Sequence, residues 1–138
     1  MPNWVIEGLI ATSPRPGYTA GPEYRVEQEV VESWLSDVLD FGINSVMCLL
    51  EEDQLWLYKK AFPQGLIARY QEVGLEVAHI ATLDQLTVPF TPDQYDRAWD
   101  EFQRLPKPVL VHCSAGHDRT GRIVNYILGN LAVSSAEE

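Results

Sequence analysis

The sequence predicts a single α/β domain, spanning residues 1–138, with a central, mostly parallel sheet covered by helices on both faces. Short apolar segments typical of buried strands alternate along the chain with segments of helical periodicity. The 138 residues suit one domain, and a composition that is 46% hydrophobic and 22% charged is ordinary for a globular protein. No internal repeat, low-complexity tract or linker divides the chain.

The first third of the chain predicts strands, a loop, a helix and a further strand, in that order. Residues 4–11 alternate weakly between apolar and polar side chains and predict one or two short strands. Residues 12–24 contain three prolines and two glycines, so we expect a loop. Apolar residues recur at helical spacing over 26–39, and Gly42 is placed to cap that helix. Residues 43–50 follow as a buried strand.

The middle of the chain predicts a turn, a short helix and a strand. Glu51-Glu52-Asp53 is expected to form an acidic turn. Apolar residues at helical spacing over 66–73 indicate a helix that Pro63 can start and Gly74 ends. Residues 75–83 then predict another strand.

The last third of the chain predicts two helices that flank a short strand. Thr91-Pro92-Asp93-Gln94 has the residues of a capping box at the start of a helix. The apolar segment 108–112 predicts a strand, and the final helix is expected to begin near Arg119. Ligands of such sheets bind beyond the carboxyl ends of the strands, and Cys113 lies at one of these ends.

Charge and cysteine content argue against several classes of function. The formal net charge is −10, from 10 basic and 20 acidic residues, whereas nucleic-acid binding needs clustered cations. The N-terminus lacks the basic segment of a secretory signal, and no apolar run approaches the ~18 residues of a membrane helix. Cys48 and Cys113 are too few to staple a secreted domain. We therefore expect a cytoplasmic protein with neither nucleic acid nor membrane as a partner.

The segment 112–121, His-Cys-Ser-Ala-Gly-His-Asp-Arg-Thr-Gly, indicates the chemistry of the protein. Backbone N–H groups of a tight loop, together with a positive helix N-terminus, form a cradle for a tetrahedral dianion. The same surroundings favour an ionised thiol, so Cys113 is expected to be a thiolate at neutral pH. Arg119 can contact two phosphate oxygens through its guanidinium, and Thr120 can donate a hydrogen bond to the thiolate.

This segment resembles the signature of the cysteine-dependent protein tyrosine phosphatase superfamily, in which His-Cys, five residues and then Arg-Thr-Gly follow an apolar strand. The short chain and the spacing are most similar to the small dual-specificity branch. A weaker similarity includes Trp4-Val5, Gly8-Leu9 and residues 42–52. The resemblance implies one phosphatase domain with the dual-specificity phosphatase fold.

The resemblance also implies a mechanism that uses neither a metal nor a cofactor. Cys113 attacks phosphorus and forms a phospho-cysteine, while Arg119 stabilises the phosphate oxygens. His112 supports the loop from behind, and Thr120 assists the sulfur as a leaving group. The substrate-binding loop consists of Ser114, Ala115, Gly116, His117, Asp118 and Arg119.

A carboxylic acid must protonate the departing oxygen, and its position in the family favours Asp84, which follows the predicted strand 75–83. Asp93 and Asp96 are the alternatives. They fall in the first turn of a helix, where favourable interaction with the helix dipole explains an acidic residue.

Three features depart from the common pattern of the family. Asp118 stands where many members have glycine, and either orients Arg119 or serves as an auxiliary acid. His117, at the rim, either attracts an additional phosphate or only shapes the pocket. Residues 134–138 resemble the start of a further helix beyond which the chain stops, so we expect a shortened C-terminal helical region and a homodimer formed through it.

The expected substrate is a phosphorylated protein or a small phosphomonoester, with phosphotyrosine, and also phosphoserine or phosphothreonine, as the target. The alternatives are an inositol phosphate or phosphoinositide hydrolysed by the same mechanism, and a relative that binds phosphate without turnover. Cys48 is interpreted as a packing residue, with a redox partnership to Cys113 as the alternative. Arg15 and Tyr18 either touch substrate or belong to a solvated loop.

Overall fold

The computed structural model describes residues 2–83 and 89–137. The strands within these ranges are β1 (Asn3–Ile6), β2 (Ile10–Ser13), β3 (Ser45–Cys48), β4 (Glu76–His79) and β5 (Val109–His112). The α-helices are α1 (Gln28–Asp40), α2 (Glu52–Leu55), α3 (Leu66–Glu72), α4 (Pro92–Arg104) and α5 (Asp118–Glu137), with a 3-10 turn at Trp56–Tyr58. The predicted α/β class is confirmed.

The five described strands form one sheet in the order β1-β2-β5-β3-β4. Only the β1–β2 pair is antiparallel, and the other described pairs are parallel. His112, the last residue of β5, is paired with Ser13 of β2 on one side and with Cys48 of β3 on the other. The chain therefore leaves the centre of the sheet at its carboxyl edge, directly before Cys113.

Helices cover both faces of the sheet, as predicted, because strand side chains alternate between two apolar clusters. On one face α4 and α5 bury Ala98, Phe102, Ile123, Val124 and Ile127 against Met47, Leu49, Val109 and Val111. On the other face α1 and α3 bury Val31, Leu35, Val38, Leu66 and Tyr70 against Val46, Cys48 and Leu110. Burial of these side chains holds β5 rigid between two layers of helix.

Capping boxes start two of the helices, and the sequence predicted one of them. Thr91 and Gln94 form the expected box at the start of α4. The predicted acidic turn at 51–53 is wrong, since Glu51 and Gln54 form a second capping box and α2 begins at Glu52. The reciprocal bonds between side chain and backbone satisfy the first amides of this short helix.

Two further expectations about helix boundaries are wrong. Pro63 does not start α3, because Gly65 occupies the N-cap with a φ of +99° and the helix begins at Leu66. Residues 134–138 do not begin a separate helix, since α5 continues unbroken to Glu137. No glycine or proline follows Gly129 to interrupt it. Across 2–83 and 89–137, no helix has the length and apolar character needed to cross a bilayer.

Candidate active site

The site is built where β5 ends and α5 begins. Cys113 follows β5 directly, and Arg119 is the second residue of α5, so strand and helix fix the two ends of one short loop. Both side chains are deeply buried, with Cys113 2% exposed and Arg119 1% exposed. The structure therefore buries, at the two ends of one loop, the two residues that the sequence predicts to act on phosphate.

Gly116 allows the loop to lie against the end of β2. Its φ is +81°, in the left-handed region that disfavours side chains. A Cβ built on Gly116 would lie 2.8 Å from backbone atoms of Ser13 and Pro14, which cannot move aside without moving the strand. The backbone N–H of Arg15 donates to the carbonyl of Ser114 at 2.8 Å and holds the loop to the same strand end.

The loop and the start of α5 provide a series of amide donors. The Gly121 amide donates to the His117 carbonyl at 2.7 Å, at the beginning of the helical ladder. The amides of Asp118 and Thr120 precede this ladder and have no acceptor within α5. In the loop itself, the amides of 115–117 donate to no acceptor within the part of the chain that the structure describes. Adjacent amides of this kind, at a helix N-terminus, bind anions.

The guanidinium of Arg119 is fixed by acceptors from three other segments. Its Nη1 donates to the carbonyl of Leu49, the carbonyl of Thr82 and Oε1 of Gln54, each at 3.1 Å. Leu49 follows β3 and Thr82 follows β4, so the carboxyl edge of the sheet positions this cation. Gln54 was not among the residues predicted from the sequence, and its sequence signal is its place in the capping box of α2.

His112 supports the loop through a hydrogen bond to the Cys113 carbonyl, as predicted. Its Nδ1 lies 3.0 Å from the carbonyl oxygen of Cys113, and its Nε2 lies 3.0 Å from the hydroxyl of Tyr70. Burial, reinforced by the positive charges of Arg119 and Arg15, lowers the pKa of His112 from 6.5 to about 4. The ring is therefore neutral at pH 7, with Nδ1–H donating to the carbonyl and Nε2 accepting from Tyr70.

The two cysteines lie on opposite faces of the sheet. Cys113 belongs to the cluster under α4 and α5, and Cys48 belongs to the cluster under α1 and α3. Burial raises the pKa of the Cys48 thiol to about 12. Cys48 is thus a buried packing residue in a different apolar cluster from Cys113.

Comparison with known proteins agrees with this geometry. A family model described as "Tyrosine phosphatase family" matches residues 26–137, which include the whole segment 112–121. The chain belongs to the tyrosine phosphatase family. No curated protein matches the sequence.

The fold of this phosphatase-family chain is similar to solved structures. One is the core catalytic domain of the PP-IP phosphatase SIW14 from S. cerevisiae in complex with citrate, with a TM-score of 0.51 and 17% identity. The match covers 90% of this chain and 65% of that chain, so this chain spans less than two thirds of its neighbour's length. At this identity the similarity shows the fold.

Several predicted site residues have different surroundings from those expected. The hydroxyl of Thr120 is buried and has no hydrogen-bond partner among the described residues, so its predicted bond to Cys113 is not formed here. Asp118 pairs with Arg122, with Oδ2 and Nη2 3.0 Å apart, and its role in orienting Arg119 or as an auxiliary acid stays a prediction. The geometry of α5 explains this pairing, because residues four apart share a helix face. His117 is exposed at the rim.

The candidate general acid, Asp84, lies outside the described residues. Its alternatives, Asp93 and Asp96, are exposed in the first turns of α4, where Asp96 accepts a hydrogen bond from Tyr126. Among the described residues, no group of three or more His, Cys, Asp or Glu side chains is arranged to hold a metal ion.

Replacement of Gly116 by alanine should distort the loop, because a side chain there is strained and meets backbone at 2.8 Å. We expect a loss of about 2 kcal/mol or more in unfolding free energy, measured in urea, together with loss of phosphate binding. Gly129→Ala is the matched control, since a Cβ there meets nothing within 4 Å. That exposed helix position should gain about 0.5–1 kcal/mol. Equal effects of the two substitutions would contradict the assignment.

The neutral state of His112 predicts a specific dependence of stability on pH. Because its folded pKa of about 4 lies below the ordinary 6.5, the unfolded chain binds the proton more readily between these values. Stability should therefore fall as the pH falls through this window, by up to about 3 kcal/mol from this residue.

Unfolding free energies of wild type and His112→Gln, measured from pH 7 to pH 4, give this contribution as the difference between their slopes. His117→Gln removes an exposed histidine from the same loop and serves as the control for loss of a histidine there. Parallel curves for wild type and His112→Gln would show that His112 does not titrate in this way.

Proposed function

We propose that this protein hydrolyses phosphoric monoesters through a phospho-cysteine formed on Cys113. The observation that carries the proposal is the joint placement of Cys113 and Arg119 at the two ends of a loop in which the amides of 115–117 have no acceptor among the described residues. A thiol, a fixed guanidinium and a set of amide donors are the groups that in-line attack on a phosphate dianion needs.

The proposed reaction has two steps. The Cys113 thiolate attacks phosphorus, the bond from phosphorus to the ester oxygen breaks, and Asp84 gives that oxygen its proton. Water then attacks the phospho-cysteine, Asp84 takes the proton from water, and the sulfur leaves as a thiolate with inorganic phosphate as the product. A nucleophilic thiol is readily oxidised, which agrees with a reducing, cytoplasmic setting.

Charge around the loop favours a substrate with a single phosphate, and we propose phosphotyrosine, phosphoserine or phosphothreonine in proteins. A cavity of about 300 Å³ on the Thr82 side of Arg119 is lined by Glu51, Glu52 and Asp53. A second cavity, of about 330 Å³, adjoins Ser114 and contains Glu23. These carboxylates repel additional phosphate groups on a substrate.

An inositol phosphate or phosphoinositide is the second candidate substrate. It is supported by the structural neighbour, whose name describes a phosphatase of PP-IP, and by the exposed His117 at the rim. Comparison of kcat/KM on a phosphotyrosine peptide and on inositol phosphates separates the two candidates. Higher values on the inositol phosphates would favour the second.

The proposed function predicts metal-independent turnover of para-nitrophenyl phosphate in the presence of EDTA, with inhibition by vanadate. Cys113→Ser should abolish turnover, because a serine hydroxyl in this cradle is a far weaker nucleophile. The matched control is Cys48→Ser, which removes the other thiol, on the opposite face, and should retain activity in the folded fraction. Full turnover by Cys113→Ser would defeat the proposal.

The general-acid assignment predicts that Asp84→Asn lowers kcat by about 10²-fold or more, with a much smaller effect on KM. The loss should be smallest for aryl phosphates with good leaving groups, since their oxygen departs without a proton. Asp93→Asn and Asp96→Asn serve as controls and should keep wild-type kcat. If one of these controls shows the larger loss, the acid is that residue.

A further inference from the structure

Arg15 is a buried cation in the loop that joins β2 to α1. Its side chain is 1% exposed, although the surrounding residues are rich in proline and glycine and suggested a solvated position. This burial excludes the solvated position, whereas contact of Arg15 with substrate stays a prediction. A buried guanidinium is costly unless hydrogen bonds compensate for its lost hydration.

The contacts of Arg15 lead directly to the residue after the nucleophile. Its Nε donates to the hydroxyl of Ser114 at 3.2 Å, and its backbone N–H donates to the Ser114 carbonyl at 2.8 Å. One residue thus holds Ser114 through both side chain and main chain. Any displacement of Ser114 displaces the adjacent Cys113.

The hydroxyl of Tyr58 fixes the other end of the Arg15 guanidinium. Nη1 donates to the Tyr58 hydroxyl at 3.1 Å, and that hydroxyl donates to the carbonyl of Pro16 at 2.6 Å. Burial raises the pKa of Tyr58 to about 12, so its hydroxyl keeps the proton that it donates. These bonds define the orientation of Arg15 independently of any substrate.

Polar contacts also connect Arg15 with the phosphate-binding arginine. Nη2 of Arg15 lies 3.8 Å from Oε2 of Glu23, and the same oxygen accepts from Nε2 of Gln54 at 3.1 Å. Oε1 of Gln54 accepts from Nη1 of Arg119 at 3.1 Å. A continuous series of polar contacts therefore connects Ser114 with Arg119, near the two ends of the loop.

We propose that Arg15 is a positioning residue that keeps Ser114, and through it the Cys113 thiolate, in register with Arg119. Packing alone would be served by an apolar side chain, without the cost of a buried charge whose carboxylate neighbour, Glu23, is 43% exposed. The guanidinium instead supplies directed donors to Ser114 and Tyr58.

The test compares Arg15→Met, Arg15→Lys and the control Arg25→Met by steady-state kinetics on para-nitrophenyl phosphate. Arg15→Met, which preserves length but no donor, should lower kcat by about 10²-fold with little change in KM, because misplacement of the nucleophile is expressed in the transition state. Arg15→Lys keeps the positive charge but lacks the planar guanidinium with its several donors, so it should recover only part of the wild-type kcat. Arg25 is exposed on the same segment, so Arg25→Met should keep wild-type kcat.

A double-mutant cycle with Ser114→Ala separates positioning from a general loss of folding. If Arg15 acts through the Ser114 hydroxyl, the kcat losses of Arg15→Lys and Ser114→Ala should be clearly non-additive. Additive losses, or a kcat for the folded Arg15 variants equal to that of wild type, would overturn the inference. Thermal melts give the folded fraction, and if Arg15→Met does not fold, Arg15→Lys and the cycle decide alone.

The inference rests on the proposed phosphatase function, and the two can fail separately. A wild-type protein that releases no phosphate from any monoester would refute the proposed function. An active wild type with unaffected Arg15 variants would refute only the role of Arg15.

Discussion

The three hydrogen bonds that hold Nη1 of Arg119 determine the geometry of the site. They come from the segments after β3 and β4 and from Gln54 at the end of a capping box, so the cation is placed by the sheet edge itself. A buried guanidinium fixed in this way costs no reorganisation when a dianion arrives. The loop that follows β5 must then place Cys113 near the Arg119 guanidinium.

The sheet provides that constraint on Cys113 through β5, which is paired on both sides and buried between two helix layers. Gly116 allows the loop to return tightly against β2, and neutral His112 holds the Cys113 carbonyl from the other face. Cys113 is thus supported by the end of β2, by His112 and by the start of α5. For the proposed function, the apolar core contributes by making these supports rigid.

The local part of this arrangement could be predicted from the sequence. The end of a strand, a small-residue loop and the start of a helix are consecutive in 108–121, so Cys113, Gly116 and Arg119 could be assigned without tertiary information. Arg15 and Gln54 could not, because their bonds to Ser114 and Arg119 join residues 99 and 65 positions apart. Only the parallel pairing of β2, β5 and β3 brings these segments together. The i,i+4 pair between Asp118 and Arg122 was open to prediction from helix geometry.

A crystal structure of the protein with orthovanadate would show how Cys113 and Arg119 surround a bound oxyanion. We expect vanadium bonded to Cys113 Sγ, with its equatorial oxygens on the amides of 114–119 and on the guanidinium of Arg119. Vanadate bound elsewhere, or bound at the loop with the Arg119 guanidinium directed away from it, would refute the proposed arrangement.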